Sequence, residues 1–178
     1  MSVKQDIAQT AACRCGGVVL EVVGAPIVHA ACYCASCQAA GRRIEQLADA
    51  PPLVGADGGT DLVLYRKDRV RCVQGGERLD AHRLKPESPT RRMVAACCNS
   101  AMFLDFTKGH WLSVYGDRLR GPVPPLEMRI MTANRPEGAA LPNNVPNYPA
   151  YPGRFMWKLL AAWVSMRIRM PKVDGAPG

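Results

Sequence analysis

Seven of the eight cysteines in this 178-residue chain lie in three short clusters. The clusters are Cys13-Arg14-Cys15, then Cys32-Tyr33-Cys34-Ala35-Ser36-Cys37, and finally Cys97-Cys98. Cysteines one or two residues apart can direct two thiolates at one metal ion through a tight turn, whereas a disulfide between such close neighbours is strained. The spacing therefore predicts zinc sites rather than a disulfide framework.

The middle cluster has the composition of a catalytic zinc site. Cys32, Cys34 and Cys37 supply three thiolates within six residues, and no fourth ligand follows nearby in the sequence. Structural zinc sites use four protein ligands, whereas catalytic sites leave one position for water or substrate. A substrate thiol bound there would have a lowered pKa. The alternative is a structural site completed by a distant histidine, and the candidates are His29, His82 and His110.

Composition and charge limit the class of protein. A hydrophobic content of 48% with 21% charged residues is typical of a globular domain and excludes a wholly disordered chain. Residues 1–6 contain no apolar segment of the signal-peptide kind, so we expect a cytoplasmic protein with reduced or metal-bound cysteines. The net charge of +8 is spread evenly and lacks interleaved aromatic residues, which argues against nucleic-acid binding.

The elements that must position these cysteines are mostly short strands. Runs of β-branched residues separated by Gly and Pro predict a mostly β architecture. A short helix is predicted within residues 39–48, and Ala50-Pro51-Pro52, which follows, is predicted to end it. The predicted strands are residues 18–23, 27–31, 61–65, 69–73, 79–84 and 92–96.

The last third of the chain has a different character. Residues 121–153 contain eight prolines and predict an extended wrap without regular structure. Residues 154–170 predict a C-terminal amphipathic helix, and its apolar positions are 156, 159, 160, 163 and 166. This helix is too short to span a membrane. We expect it to pack on the β domain of residues 1–120 or on a second copy in a homo-oligomer, with interfacial membrane binding through Trp157 and Trp163 as the alternative.

The order of the cysteine motifs resembles the glutathione-dependent formaldehyde-activating enzyme family, which includes the centromere protein V domain. The matching features are Cys13-x-Cys15-Gly16, Cys32-x-Cys34-x-x-Cys37 followed by Gly41, and a late cysteine followed by Asn99-Ser100. They extend over roughly residues 10–120 of this chain.

The resemblance implies a β-tent fold of small antiparallel sheets and two zinc ions. It implies a structural zinc held by the first and last clusters, Cys13, Cys15, Cys97 and Cys98, and a catalytic zinc held by Cys32, Cys34 and Cys37. It also implies a carbon–sulfur lyase that joins glutathione, a small thiol, to formaldehyde as S-hydroxymethylglutathione. The rival interpretation is a non-catalytic zinc module that binds a partner through the Pro-rich segment and the Trp-bearing helix.

Three positions depart from the family pattern. Tyr33 stands where the family commonly has histidine, and Gln38 stands where a basic residue is common. Ala95 occupies the place of the first cysteine in the last cluster, which leaves Cys97 as its substitute. Adjacent residues of a strand point to opposite faces, so Cys97 and Cys98 can share one metal only if a turn bends the chain there.

Other candidate residues carry weaker signals. Arg42 and Arg43 follow Cys37 most closely and are predicted to meet the carboxylates of a bound thiol. Further arginines flank the clusters at positions 14, 91 and 92, where exposure to solvent is the default expectation. Cys72 stands alone in an alternating segment and is predicted to be a buried structural thiol.

Overall fold

The computed structural model describes residues 8–177, and its secondary structure is mostly β, as predicted. The expectation about residues 1–6 lies outside the described residues. The helices are α1 (Ala35–Glu45) and α2 (Gly153–Ser165). The strands are β1 (Ala8–Ala12), β2 (Val19–Val23), β3 (Val28–Cys32), β4 (Thr60–Arg66), β5 (Val70–Gln74), β6 (Leu79–His82), β7 (Thr90–Ala95), β8 (Ser100–Phe106), β9 (Trp111–Tyr115), β10 (Leu119–Arg120) and β11 (Met128–Ile130).

The strands form two sheets of unequal size. The smaller sheet has the order β10-β1-β2-β5, and the larger has the order β11-β3-β4-β9-β8-β7-β6. Neighbouring strands within the sheets are antiparallel, except that β11 runs parallel to β3. The mostly β fold with a C-terminal helix is therefore confirmed.

The larger sheet is covered on both faces, and strand β4 shows how. Successive side chains of a strand point to opposite faces. Val63 and Tyr65 belong to the apolar core that contains the buried residues of β2 in the smaller sheet. Leu62 and Leu64 belong to a second core that contains residues of α1 and α2. The larger sheet thus has the smaller sheet on one side and both helices on the other.

The Pro-rich segment contains regular structure, contrary to the prediction for residues 121–153. Met128–Ile130 forms strand β11, which pairs with the end of β3 at Cys32. Proline lacks a backbone donor and interrupts a strand ladder, but residues 126–135 contain none. The Arg129 N–H also donates to the Pro146 carbonyl at 2.9 Å, so the segment folds back on itself beside the middle cysteine cluster.

Helix α2 is shorter than predicted and presents a different face to the protein. It ends at Ser165 because Arg167 and Ile168 have positive φ angles of 54° and 61°, and the Ile168 N–H donates to the Trp163 carbonyl at 3.1 Å. Phe155 and Leu159 are buried, whereas the predicted core positions 156 and 160 are exposed. Among the described residues, no helix is long and apolar enough to cross a membrane.

Polar contacts fix the orientation of α2. His110 lies 5.8 Å from the Trp163 ring and nearly parallel to it, and its Nε2 donates to the Leu159 carbonyl at 2.8 Å. On the other side, Lys158 Nζ lies 2.5 Å from the carboxylate of Glu127. These contacts hold the Phe155 and Leu159 face against the larger sheet and turn the 156 and 160 positions outward.

Substitution of the two adjacent leucines in α2 tests this orientation. Leu159→Ala removes a buried side chain and should lower the free energy of unfolding by about 2–4 kcal/mol. Leu160→Ala, at a side chain that is 44% exposed, should change it by about 0.5 kcal/mol or less. Urea unfolding of both variants measures the difference. Equal losses would contradict the orientation described here.

His29 ties strand β3 to the start of the Pro-rich segment. Its Nδ1 donates to the Pro124 carbonyl at 2.6 Å, and its Nε2 contacts the Asp61 carboxylate. A carbonyl can only accept, so both ring nitrogens face acceptors and the arrangement favours the imidazolium. Burial acts against this charge, but the hydrogen bond and the charge of Asp61, with a smaller effect of Glu127, raise the pKa of His29 above its usual value of 6.5.

The raised pKa of His29 makes stability depend on pH. Its contribution is fully present below about pH 6.5, the pKa in the unfolded chain, and is lost as pH rises through the higher folded pKa. The free energy of unfolding should therefore fall with rising pH across this window in the wild type. The fall should be smaller in His29→Gln and retained in His82→Gln. Denaturant titrations at several pH values measure it, and the same fall in both variants would contradict the assignment.

Candidate functional site

Four thiols from two separate turns converge at one end of the molecule. The sulfur atoms of Cys13, Cys15, Cys97 and Cys98 all lie within 4.8 Å of one another. Individual separations are 3.6 Å for Cys13–Cys15, 3.8 Å for Cys13–Cys97, 3.2 Å for Cys15–Cys97 and 4.0 Å for Cys97–Cys98. Tetrahedral zinc with Zn–S bonds of about 2.3 Å places its sulfurs about 3.8 Å apart. This cluster could therefore hold a metal ion, and its dimensions fit zinc.

The first of these turns depends on glycine. Gly16 has a φ of +76°, and its N–H donates to the Cys13 carbonyl at 3.0 Å. A side chain at Gly17 would lie 3.2 Å from the Cys97 sulfur and 3.4 Å from the Cys15 sulfur. The Val18 N–H donates to the Cys13 sulfur at 3.2 Å. The Gly-Gly pair therefore lets the backbone pass close to the sulfurs and direct an N–H at one of them.

A turn between β7 and β8 supplies the other two thiols. Residues 96–99 form this turn, in which the Cys98 N–H donates to the Ala95 carbonyl at 3.2 Å and Asn99 has a φ of +51°. The turn that Cys97 and Cys98 need in order to direct both thiols at one metal ion is therefore present. Burial raises the pKa of the Cys98 thiol. Hydrogen bonds have a larger combined effect, of which the bond with Ser100 is the largest part, and they lower this pKa to about 6.

The middle cluster lies where strand β3 meets helix α1. Cys32 ends the strand, Cys34 is the N-cap of the helix, and Cys37 lies in its first turn. The Cys37 N–H donates to the Cys34 sulfur at 3.4 Å. Because the helix dipole is positive at this end, it favours negative charge on the thiols. The helix begins at Ala35, four residues before the predicted segment, and Gly41 lies inside it against Val54.

The three sulfurs lie within 4.8 Å of one another, and each cysteine affects the pKa of the others. Hydrogen bonds from Cys32 and Cys37 lower the pKa of Cys34 to about 2, although burial acts against this. The hydrogen bond with Cys34 is the main reason that the pKa of Cys32 rises to about 12, and the pKa of Cys37 is raised as well. The cluster could therefore hold a metal ion, which would replace the protons of the remaining thiols.

Among residues 8–177, no histidine or carboxylate joins the middle cluster as a fourth ligand. His29 uses both ring nitrogens for Asp61 and Pro124, and His110 donates to Leu159 in helix α2. His82 lies in β6 and does not line the cavity beside the cluster. The structure therefore brings together three potential protein ligands in this cluster, and none of the three histidines is among them.

A cavity of about 360 Å³ adjoins the middle cluster. Cys32, Cys34 and Cys37 line one part of it. Apolar side chains of the larger sheet and of α2 form most of the remaining wall, and they are Leu62, Leu64, Leu104, Phe106, Trp111, Ile130, Phe155, Met156 and Leu159. The volume is within the range of small-molecule sites. A ligand in this cavity would reach the three sulfurs.

Arg92 is the one charged residue among the residues of 8–177 that line the cavity. Its side chain is only 2% exposed, and its Nη2 donates to the Ser36 carbonyl at 3.1 Å, between Cys34 and Cys37. It also hydrogen-bonds with Tyr115, which is buried. No carboxylate of the described chain pairs with it. A buried cation therefore lines the same cavity as the three thiols.

The structure corrects several predictions about single residues. Arg42 and Arg43 are exposed on α1 and do not line the cavity, and Arg43 instead donates to the Arg83 and Leu84 carbonyls. Arg92 is buried, although exposure was the default expectation. Cys72 is only partly buried, and its sulfur lies 3.2 Å from the Gln74 carbonyl.

Tyr33 and Gln38, two of the positions that depart from the family pattern, make hydrogen bonds beside the middle cluster. The Tyr33 hydroxyl donates to the Asp57 carboxylate at 2.6 Å. Gln38 Nε2 donates to the Tyr33 and Asn134 carbonyls at 2.6 and 2.8 Å, which joins α1 to the segment that follows β11. These residues fix the backbone around Cys34.

The cavity wall was not predicted from sequence. Its residues come from strands β4, β7, β8, β9 and β11 and from helix α2, and no motif links these segments. Arg92 had one usable signal, because a charged residue stands in a strand whose next three residues are Met93-Val94-Ala95.

Comparison with known proteins identifies the family but not a function. No curated protein matches the chain. A crystal structure of a Rhodobacter sphaeroides protein is similar at 18% identity with a TM-score of 0.46, and the match covers 65% of this chain and 91% of that one. The model of a family of unknown function, DUF6151, matches residues 6–124. This match covers more than half of the sequence, and the chain belongs to the DUF6151 family.

Proposed function

We propose that this protein is a zinc protein with one structural site and one substrate-binding site. Cys13, Cys15, Cys97 and Cys98 hold the structural zinc, because four of their six sulfur separations, from 3.2 to 4.0 Å, bracket the value for tetrahedral zinc thiolate, and all six lie within 4.8 Å. The choice of zinc over other ions rests on the thiolate ligands and on the tetrahedral fit.

Cys32, Cys34 and Cys37 are the ligands of the second site. The observation that carries this proposal is that the three sulfurs line a cavity of about 360 Å³ and have no fourth protein ligand among residues 8–177. A zinc ion held there would lower the pKa of a thiol that enters the cavity. This combination of three ligands and a cavity is typical of a site that binds substrate.

The reaction that fits best is that of a carbon–sulfur lyase acting on a thiol adduct. In the forward direction, the thiol sulfur forms a bond to the carbon of a small aldehyde, and the thiol proton ends on the aldehyde oxygen. The reverse direction breaks the same bond and releases both reactants. Formaldehyde and a small thiol such as glutathione are the reactants that the family resemblance implies.

The residues of this chain have distinct parts in that reaction. Arg92 compensates negative charge at the sulfurs, and it is held in place by Ser36 and Tyr115. Phe155 and Leu159 of helix α2 cover the cavity and reduce the access of water, which strengthens the electrostatic effect of Arg92. We place the reaction in the cytoplasm, where thiols stay reduced, and assign the two sheets to the β-tent fold.

A non-catalytic zinc module is the second candidate, and helix α2 favours it. Met156, Trp157, Leu160 and Val164 are between 44% and 68% exposed on one side of the helix. Exposed apolar surface of this kind is typical of protein-binding sites. In that case a partner or a second copy of the chain would cover α2, and the middle zinc would bind no exogenous thiol.

Metal analysis of single cysteine variants tests the structural site. The wild type should contain close to two zinc ions per chain. Cys97→Ser should lose about one of them and unfold more easily, because structural zinc contributes directly to folding. Cys72→Ser is the matched control and should keep both, because Cys72 belongs to neither cluster. A zinc content unchanged in Cys97→Ser would contradict its assignment.

Cobalt in place of zinc tests the substrate-binding site. A thiol that enters the middle site should add a sulfur-to-cobalt charge-transfer band, because it becomes a further sulfur ligand. The band should be absent in Cys37→Ser, which removes one of the three ligands, and present in Cys72→Ser. If no thiol changes the spectrum at millimolar concentration, the lyase proposal fails and the zinc module remains.

A further inference from the structure

We infer that the thiol taken by the Cys32–Cys34–Cys37 site is an uncharged thiol with an apolar body rather than a charged peptide thiol such as glutathione. The inference rests on the proposed function and names the substrate class of the same site. It follows from the wall of the cavity, its charge and its mouth.

The wall of the cavity is mostly hydrocarbon. Leu64, Leu104 and Ile130 contribute from the larger sheet, and Phe155 and Leu159 contribute from helix α2. Burial of apolar surface against such a wall stabilises a complex roughly in proportion to its area. Polar groups of a peptide would instead lose their water and find few partners, which is unfavourable.

The charges around the cavity also favour an uncharged thiol. Three thiolates and one divalent ion have a net charge of −1, and Arg92 supplies the single compensating charge in the cavity wall. Glutathione would bring two carboxylates and an ammonium group into this cavity, where no other charged side chain of the described chain lines the wall. An uncharged thiol adds only the charge of its own sulfur when it loses its proton.

The side chains at the mouth of the cavity are uncharged. Met156 and Tyr151 line the cavity, yet they are 52% and 50% exposed, so they lie where it meets solvent. Trp157 follows Met156 in the helix but is 68% exposed and does not line the cavity. A thiol with an apolar body would enter through this mouth and contact Met156 without contacting Trp157.

The test compares thiols on the cobalt-loaded protein. Benzyl mercaptan should produce the charge-transfer band at a concentration at least about tenfold lower than that needed for glutathione, because burial of its aromatic ring against the apolar wall stabilises the complex. Calorimetry on the zinc protein should give the same order of affinities. Benzyl alcohol has the same body without the thiol, and it should bind more weakly and produce no band.

Two neighbouring variants test whether the apolar contact is responsible. Met156→Gln should weaken the binding of benzyl mercaptan severalfold and leave the binding of the small polar thiol 2-mercaptoethanol unchanged. Trp157→Gln is the matched control and should change neither, because this side chain lies outside the cavity. Both positions are exposed, so neither variant should unfold the protein.

The possible outcomes separate the two proposals. If glutathione binds as tightly as benzyl mercaptan, or if Met156→Gln has no effect, the inference about substrate class is overturned while the thiol-binding site stands. If no thiol produces the band, the proposed function itself fails. A benzyl mercaptan preference that is lost in Met156→Gln and kept in Trp157→Gln supports the inference.

Discussion

The convergence of two turns on one cluster of four thiols is the constraint on which the architecture depends. The turn that holds Cys13 and Cys15 joins β1 to β2 in the smaller sheet, whereas the turn that holds Cys97 and Cys98 joins β7 to β8 in the larger sheet. An ion bound by all four would link the two sheets across 82 residues or more of sequence. Such a link reduces the conformational freedom of the unfolded chain, and it holds the larger sheet in the position from which it carries the second cluster.

The second cluster combines negative thiols, a buried cation and an apolar cavity. Strand β3 and the N-terminus of helix α1 fix the three sulfurs, and β7, the neighbour of the edge strand β6, brings Arg92 into the wall of the same cavity. A buried guanidinium without a carboxylate partner is unfavourable in isolation. A metal-thiolate group with a net negative charge, as we propose for this cluster, would compensate the charge of Arg92, whose exposure is only 2%. Helix α2 then separates this group of charges from water.

The sequence predicted the local features well and the distant ones poorly. Cysteine spacing indicates metal binding because neighbouring ligands such as Cys32, Cys34 and Cys37 are positioned by local backbone, and six short strands could be recognised from β-branched runs. The tight turn at Cys97-Cys98 depends on Asn99 in a left-handed conformation, which the spacing alone does not determine. The orientation of α2 depends on His110, 49 residues away from Leu159. Helical periodicity gives the apolar positions, but here both sides of the helix are apolar, so it could not select the buried side.

X-ray absorption at the zinc edge tests the central claim most directly, because it counts sulfur ligands. With both sites filled, the account expects two zinc ions per chain with seven protein sulfurs between them, since one site has four cysteines and the other has three. An added thiol should increase the total to eight. A total of eight sulfurs, or a histidine nitrogen in the middle site, before any thiol is added would contradict the account, as would a protein that contains no zinc.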